Sequence, residues 1–129
     1  MEPIRVFVYG TLMEGESNHR VAKPYLLEVE EGSVSGNLYN VGPYPALTLS
    51  EDGDIVKGQW FNVTEEGLEN MDKLEGFYGE GAPHNHYNRE FVKDINNSIE
   101  GFVYTYTKEK VEKRGLPKIK SGSWKLKNK

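Results

Sequence analysis

Six or seven short segments rich in β-branched and aromatic residues follow one another along this sequence, with one convincing helix among them. Such segments, bounded by Gly, Pro, Asn or Asp, are typical of β-strands. They are residues 3–9, 25–30, 32–39, 46–49, 55–63, 87–94 and 100–107. Strands this consecutive exclude the regular strand–helix alternation of a doubly wound α/β fold. We therefore expect an α+β fold, with a small, curved, barrel-like mixed sheet of six or seven strands and helices packed alongside.

The main helix is predicted over residues 64–74. Thr64 is a suitable N-cap and Gly76 a suitable stop. An apolar stripe with three-residue spacing gives the helix one buried face: Leu68, Met71 and Leu74. A shorter helix is predicted within residues 15–23, with Ser17 as its cap.

Length and composition fit a single domain over residues 1–129. The sequence contains no cysteine, which excludes disulfides, thiolate nucleophiles and zinc–thiolate sites. The first residues lack the pattern of a signal peptide, and no segment approaches the roughly 20 apolar residues of a membrane span. These features predict a cytoplasmic protein that does not bind a membrane.

Charge is distributed unevenly between the body and the C-terminal tail. Residues 1–107 contain 7 basic and 18 acidic residues, whereas residues 108–129 contain 9 basic and 2 acidic residues. An acidic body repels phosphates, so the composition predicts no nucleic-acid partner. We expect the basic tail to pack on or near the acidic body instead.

A first candidate site is the loop Tyr9-Gly10-Thr11-Leu12, which leaves the first predicted strand. Ligand sites often form at the carboxyl ends of strands. Gly10 allows a sharp turn or close backbone approach to a ligand, and neighbouring amide groups can then face an anion. The alternative is an ordinary turn after a strand.

A second candidate is Glu75, at the end of the predicted helix. The negative end of the helix dipole, the charge of Asp72 and burial against Phe77 would all disfavour its ionisation. A carboxyl group with a pKa raised in this way can act as general base and acid near neutral pH. The alternative is a solvated glutamate at a helix end.

The remaining chemical groups give no recognisable site. His19, His84 and His86 do not form a ligand set with ordered spacing, so we expect surface histidines and no metal. No glycine-rich nucleotide-binding motif is present.

A succession of motifs resembles the γ-glutamylcyclotransferase-like family, and specifically its γ-glutamylamine cyclotransferase-like branch. The match covers nearly the whole chain in the order found in the family. The resembling segments are residues 6–12, 18–19, 42–47, 56–63, 71–77, 87–92, 101–106 and 121–124. Ser123 departs from the pattern, because many members have aspartate before the tryptophan.

The resemblance implies an enzyme that cyclises the γ-glutamyl group of a γ-glutamyl amine or γ-glutamyl amino acid to 5-oxoproline, releasing the free amine. It implies Glu75 as general acid/base. The implied substrate-binding residues are Tyr9, Gly10, Thr11, Leu12, Tyr87 and Arg89. The nucleophile belongs to the substrate, so no metal or cofactor is implied. The expected partner is this small molecule, and the expected state is a monomer or small homo-oligomer.

Other functions are compatible with the same residues. One is the same chemistry on a specialised γ-glutamylated metabolite, distinguished only by the rim at residues 78–87 and by the tail. Another is a non-catalytic small-molecule-binding module of the same fold. A nucleic-acid-binding barrel would rest on the basic tail alone.

Overall fold

The computed structural model describes residues 4–126, which form one curled, mixed sheet of six strands with short helices. The strands are β1 (Ile4–Val8), β2 (Leu26–Asn40), β3 (Pro45–Leu49), β4 (Asp54–Val63), β5 (Asn88–Lys93) and β6 (Glu100–Thr105). Their order across the sheet is β3-β2-β4-β1-β6-β5. This confirms the predicted fold class.

Strand β1 lies inside the sheet, antiparallel to β4 and parallel to β6. Its residues Val6, Phe7 and Val8 are all buried, which accounts for a continuous apolar run where a one-sided strand would alternate. Because β1 and β6 are parallel, their carboxyl ends lie at the same edge of the sheet. The backbone N–H of Tyr106 donates to the carbonyl of Leu47 at 2.9 Å, which draws β3 towards the end of β6 and curls the sheet.

The prediction of two strands meeting near Gly32 was wrong, because β2 runs without interruption through that residue. Gly32 pairs with Gly58 of β4 and so continues the ladder. A Cβ on Gly32 would lie 2.4 Å from the Trp60 ring. The glycine therefore marks the close approach of a large side chain rather than a turn.

The main helix, α2 (Glu65–Glu75), is confirmed. The side-chain oxygen of Thr64 accepts from the backbone N–H of Gly67, and Met71 is fully buried. Gly76 ends the helix in the left-handed conformation, with φ of 67°.

The shorter N-terminal helix, α1 (His19–Ala22), begins two residues after the predicted cap Ser17. It continues into a 3₁₀ turn, Lys23–Tyr25, with Pro24 near its start.

The predicted basic tail contains a third helix, α3 (Lys108–Arg114), capped by Thr107. The chain beyond it packs back on the sheet. The N–H of Ile119 donates to the carbonyl of Leu38 at 2.7 Å, and Lys118 forms an ion pair with Asp54 at 2.8 Å. Between residues 4 and 126, no helix is long and apolar enough to cross a bilayer.

Candidate active site

A cavity of about 240 Å³ opens where the parallel strands β1 and β6 end and the last turn of α2 meets them. Five stretches of chain contribute to its wall in addition to β1 itself. The lining consists of residues 7–12, 18, 44–45, 74–75, 86–87 and 104. The structure thus brings the predicted loop, Glu75 and Tyr87 together around one space.

The loop after β1 is held in shape by the residues that start α1. The Asn18 side chain donates to Thr11 Oγ1 at 3.0 Å, and the Asn18 backbone N–H donates to the Thr11 carbonyl at 2.8 Å. His19 Nδ1 donates to the carbonyl of Leu12 at 2.9 Å. The Asn-His pair therefore has a local purpose, which is to fix the loop that lines the cavity.

Gly10 is required by close packing. A Cβ on Gly10 would lie 2.6 Å from both Cγ and Cδ of Pro45, which also lines the cavity. The backbone of Gly10 does not adopt a positive φ, so conformational freedom is not the constraint. Any larger residue must displace Pro45, whose carbonyl accepts the hydroxyl of Tyr87.

Gly10→Ala should therefore lower the free energy of unfolding by about 1–3 kcal/mol, as overpacking does. It should also raise, about tenfold, the dissociation constant of 5-oxoproline, the product that the family resemblance implies, because the cavity wall moves. Urea denaturation and calorimetric titration measure the two effects. Adding Pro45→Ala removes the clashing ring atoms and should restore part of the affinity. A double variant no better than Gly10→Ala would show that Pro45 is not the obstacle.

Glu75 ends α2 with its side chain partly buried in the cavity wall. Burial raises the pKa of this carboxyl group to about 7. The backbone next to it is fixed, because the N–H of Tyr87 donates to the Glu75 carbonyl at 3.3 Å and the N–H of His86 donates to the Gly76 carbonyl at 2.9 Å. The site thus holds a carboxyl group able to gain or lose a proton near neutral pH.

The structure assigns a different role to Asp72 from the one the sequence indicated. Its carboxylate forms an ion pair with Arg89 at 2.6 Å and accepts the hydroxyl of Tyr104 at 2.5 Å. Arg89 offsets the charge expected to act on Glu75. The raised pKa of Glu75 therefore comes from burial, not from Asp72.

The two residues predicted from the fifth strand separate in the structure. Tyr87 lines the cavity and is 4% exposed. Arg89 is not among the lining residues, and its guanidinium lies between the rings of Phe77 and Phe102, at 4.7 and 4.5 Å from their centroids. Substrate binding by Arg89 stays a prediction that this position does not support.

Two of the three histidines are not the surface residues that the sequence indicated. His86 lines the cavity, and its Nε2 lies 3.0 Å from the Tyr44 hydroxyl and 2.9 Å from the Tyr106 hydroxyl. Burial and the charges of Lys110 and Arg114 lower the pKa of His86. His19 supports the loop, as described above, and only His84 is exposed. Contacts between distant segments create these environments, and no local pattern indicates them.

Tyr104 is a further lining residue that the sequence did not single out. It lies in β6, within an apolar and aromatic run that predicts only a buried strand. Among residues 4–126, no group of three His, Cys, Asp or Glu side chains could hold a metal ion.

Comparisons with known proteins identify the family to which this curled sheet and its cavity belong. The family model described as "Gamma-glutamyl cyclotransferase, AIG2-like" matches residues 6–126. This chain belongs to that family of enzymes.

Two relatives and one solved structure illustrate the similarity. The gamma-L-glutamyl-butirosin B gamma-glutamyl cyclotransferase of Niallia circulans is 36% identical over 107 residues, which cover 81% of this chain and 67% of that one. The gamma-glutamylaminecyclotransferase of Bos taurus is 30% identical over 116 residues, which cover 78% of this chain and 64% of the bovine protein. The chain thus spans about two thirds of the length of both relatives. The crystal structure of an AIG2-like protein from Mus musculus superposes on this chain with a TM-score of 0.72 at 28% identity. The superposition covers 92% of this chain and 86% of the mouse protein.

Proposed function

We propose that this protein cyclises the γ-glutamyl group of a γ-glutamyl amine or γ-glutamyl amino acid, forming 5-oxoproline and the free amine. The observation that carries the proposal is the position of Glu75. A carboxyl group with a pKa of about 7 lies in the wall of the same cavity as the loop of residues 9–12. The family supports this chemistry, since both relatives above are named for cyclotransferase activity on γ-glutamyl compounds.

In the proposed reaction, the substrate supplies its own nucleophile. The α-amino nitrogen attacks the γ-carbonyl carbon, a five-membered ring closes, and the bond to the leaving nitrogen breaks. A site that folds the substrate into this geometry gains up to about 7–11 kcal/mol from proximity in ideal cases. The main task of the cavity is therefore to bend the γ-glutamyl chain.

Glu75 moves the protons in this scheme. The ionised carboxylate takes a proton from the α-ammonium, which makes the nitrogen nucleophilic. The same group, now protonated, gives that proton to the departing nitrogen as its bond to carbon breaks, and then takes the second proton that the ring nitrogen must lose to become the lactam N–H. A pKa near 7 suits both steps, because either protonation state is then accessible at neutral pH. The amides of residues 9–12 are the proposed partners of the substrate carboxylate or of the oxyanion that develops on the γ-carbonyl.

The rim of the cavity supports a leaving amine with an apolar part. Leu74 lines the cavity and is 39% exposed, next to the carboxyl group in the chain. A γ-glutamylated metabolite larger than an amino acid would extend over this side chain, which is the specialised variant of the same function.

The purified protein should release 5-oxoproline from at least one member of a panel of γ-glutamyl amines and γ-glutamyl amino acids. Turnover should persist with excess EDTA, because the nucleophile and the proton carrier require no metal. Mass spectrometry of 5-oxoproline and of the free amine measures the reaction. Binding of panel members without turnover would favour the non-catalytic module.

A further inference from the structure

A second pocket in the sheet has a lining that shares no residue with the cavity beside Glu75. Its volume is about 240 Å³. Three neighbouring strands, β1, β4 and β2, contribute most of the lining, and the chain just before β6 completes it. The lining consists of Arg5, Glu28, Glu30, Trp60, Asn62 and Ile99. The proposed reaction uses none of them.

The strand register places a cation, an amide and a carboxylate side by side in this pocket. Asn62 of β4 is paired with Arg5 of β1 on one side and with Glu28 of β2 on the other. Directly paired residues of antiparallel strands point to the same face, with Cβ atoms about 4.5–5.5 Å apart. The row therefore runs from a guanidinium through a carboxamide to a carboxylate. Glu30, two residues beyond Glu28 on the same face, adds a second carboxylate at the same end of the row.

The polar side chains of this row lack partners within the described chain. Asn62 Oδ1 is buried without a hydrogen bond, and the Asn62 amide nitrogen has no partner among residues 4–126 either. The side chains of Arg5, Glu28 and Glu30 form no hydrogen bond or ion pair with any described residue. A buried amide group without a partner costs free energy of folding. Its position between unpaired charges points to a ligand that supplies the missing partners.

One wall of the pocket is apolar and fixed. Trp60 lines the pocket although it is only 2% exposed, and its indole N–H donates to Asp94 at 2.8 Å. Asp94 also accepts the backbone N–H of Ser33 at 2.9 Å, which ties the ring to β2. Ile99 lines the pocket as well and packs partly against the core. The pocket thus combines both signs of charge, a two-sided amide and an apolar surface.

We propose that this pocket binds a free α-amino acid with an apolar side chain, at a site separate from the cavity beside Glu75. The α-carboxylate of the ligand pairs with Arg5, and its α-ammonium pairs with Glu28 and Glu30. The Asn62 carboxamide lies between them, where Nδ2 donates to the carboxylate and Oδ1 accepts from the ammonium. Rotation about the terminal torsion of Asn62 brings Oδ1 from its buried position to the ligand.

The surroundings favour such a zwitterion over a ligand with a single charge. A simple amine would face the unpaired guanidinium of Arg5, and a simple carboxylate would face Glu28 and Glu30. An amino acid compensates both signs of charge at once. Its apolar side chain also covers the exposed part of Ile99. This inference goes beyond the proposed function and does not depend on it.

The indole N–H of Trp60 reports whether the pocket is occupied, because Trp60 lines the pocket and the chain contains only one other tryptophan. Its NMR resonance is followed during titration with three probes. They are L-leucine, L-leucinamide, which lacks the carboxylate, and N-acetyl-L-leucine, which lacks the ammonium. L-leucine should shift the resonance to saturation. Each of the other two should bind at least about tenfold more weakly, because each has lost one charged hydrogen-bonding group.

Two variants at exposed positions connect the binding to the charges of the row. Arg5→Gln should weaken L-leucine about tenfold and leave L-leucinamide no weaker than before. Glu28→Gln should weaken L-leucine and L-leucinamide about threefold or more, and N-acetyl-L-leucine not at all. As a matched control, Arg20→Gln removes an exposed arginine of α1 outside the pocket and should change none of the three affinities.

Two outcomes would overturn the proposal. One is a Trp60 resonance that does not reach saturation with L-leucine in the folded wild type. The other is unchanged affinity for L-leucine in both Arg5→Gln and Glu28→Gln, because the ligand would then occupy another place, such as the cavity beside Glu75. Formation of 5-oxoproline is not part of the measurement, so a failure of the proposed function would leave this result unaffected.

Discussion

Glu75→Gln should lower kcat at least about a hundredfold, since general acid–base groups typically contribute 10²–10⁴-fold. Glutamine keeps the size and hydrogen-bonding shape of glutamate but cannot carry a proton at neutral pH. Single-turnover measurement of 5-oxoproline release separates this loss from any change in binding. Glu69→Gln makes the same chemical change on an exposed position of α2 and should leave kcat unaltered.

The same substitution should stabilise the protein above pH 7. Burial raises the pKa of Glu75 from 4.5 to about 7, so ionisation favours the unfolded chain as pH rises through this range. At pH 8 the free energy of unfolding of the variant should be about 2–3 kcal/mol higher than that of the wild type, and at pH 4 the two should be equal.

Retention of more than about a tenth of wild-type kcat by Glu75→Gln would contradict the role of Glu75 as base.

The pH dependence of kcat/KM should show the second large effect. If ionised Glu75 is the base in the free enzyme, the rate falls about tenfold for each pH unit below the pKa of about 7, and so about a hundredfold at pH 5. The structural cause of this fall is the burial of the carboxyl group. An exposed glutamate would stay ionised down to about pH 4.3.

The residual rate of Glu75→Gln should lack this acidic limb, which identifies the titrating group. Asp72→Asn leaves Arg89 without its counter-charge, so it should move the midpoint, if at all, to lower pH, and it should keep the acidic limb. If kcat/KM of the wild type stayed constant between pH 5 and 8, a Glu75 with a pKa of about 7 would be ruled out as the base.

Local sequence patterns predicted the elements whose cause is local. Helix α2 is specified by its cap Thr64, its apolar stripe and the glycine that ends it, all within a few residues of each other. The loop after β1 was also visible, because Gly10 follows directly on a buried strand. The break placed at Gly32 failed for the opposite reason, since the Trp60 ring that requires this glycine lies in another strand.

The site itself depends on contacts that no local pattern contains. Asp72 was expected to act on its neighbour in the helix, but Arg89 and Tyr104 reach it from β5 and β6. His86 carries no motif, and its position in the wall follows from backbone bonds to the end of α2. Residues were thus predictable as candidates, whereas their partners became known only from the fold.

The parallel pairing of β1 with β6 has a consequence for how the protein folds. Tyr9 and Tyr104, joined by a hydrogen bond in the cavity wall, are 95 residues apart. The loop of chain between them closes only after most of the chain is ordered. Closing so long a loop costs chain entropy before the contacts that offset this cost have formed. A growing chain that lacks β6 therefore lacks Tyr104 in the cavity wall and the acceptor of the Tyr9 hydroxyl. During refolding, ligand affinity should appear in the last kinetic phase, together with the docking of β6 against β1.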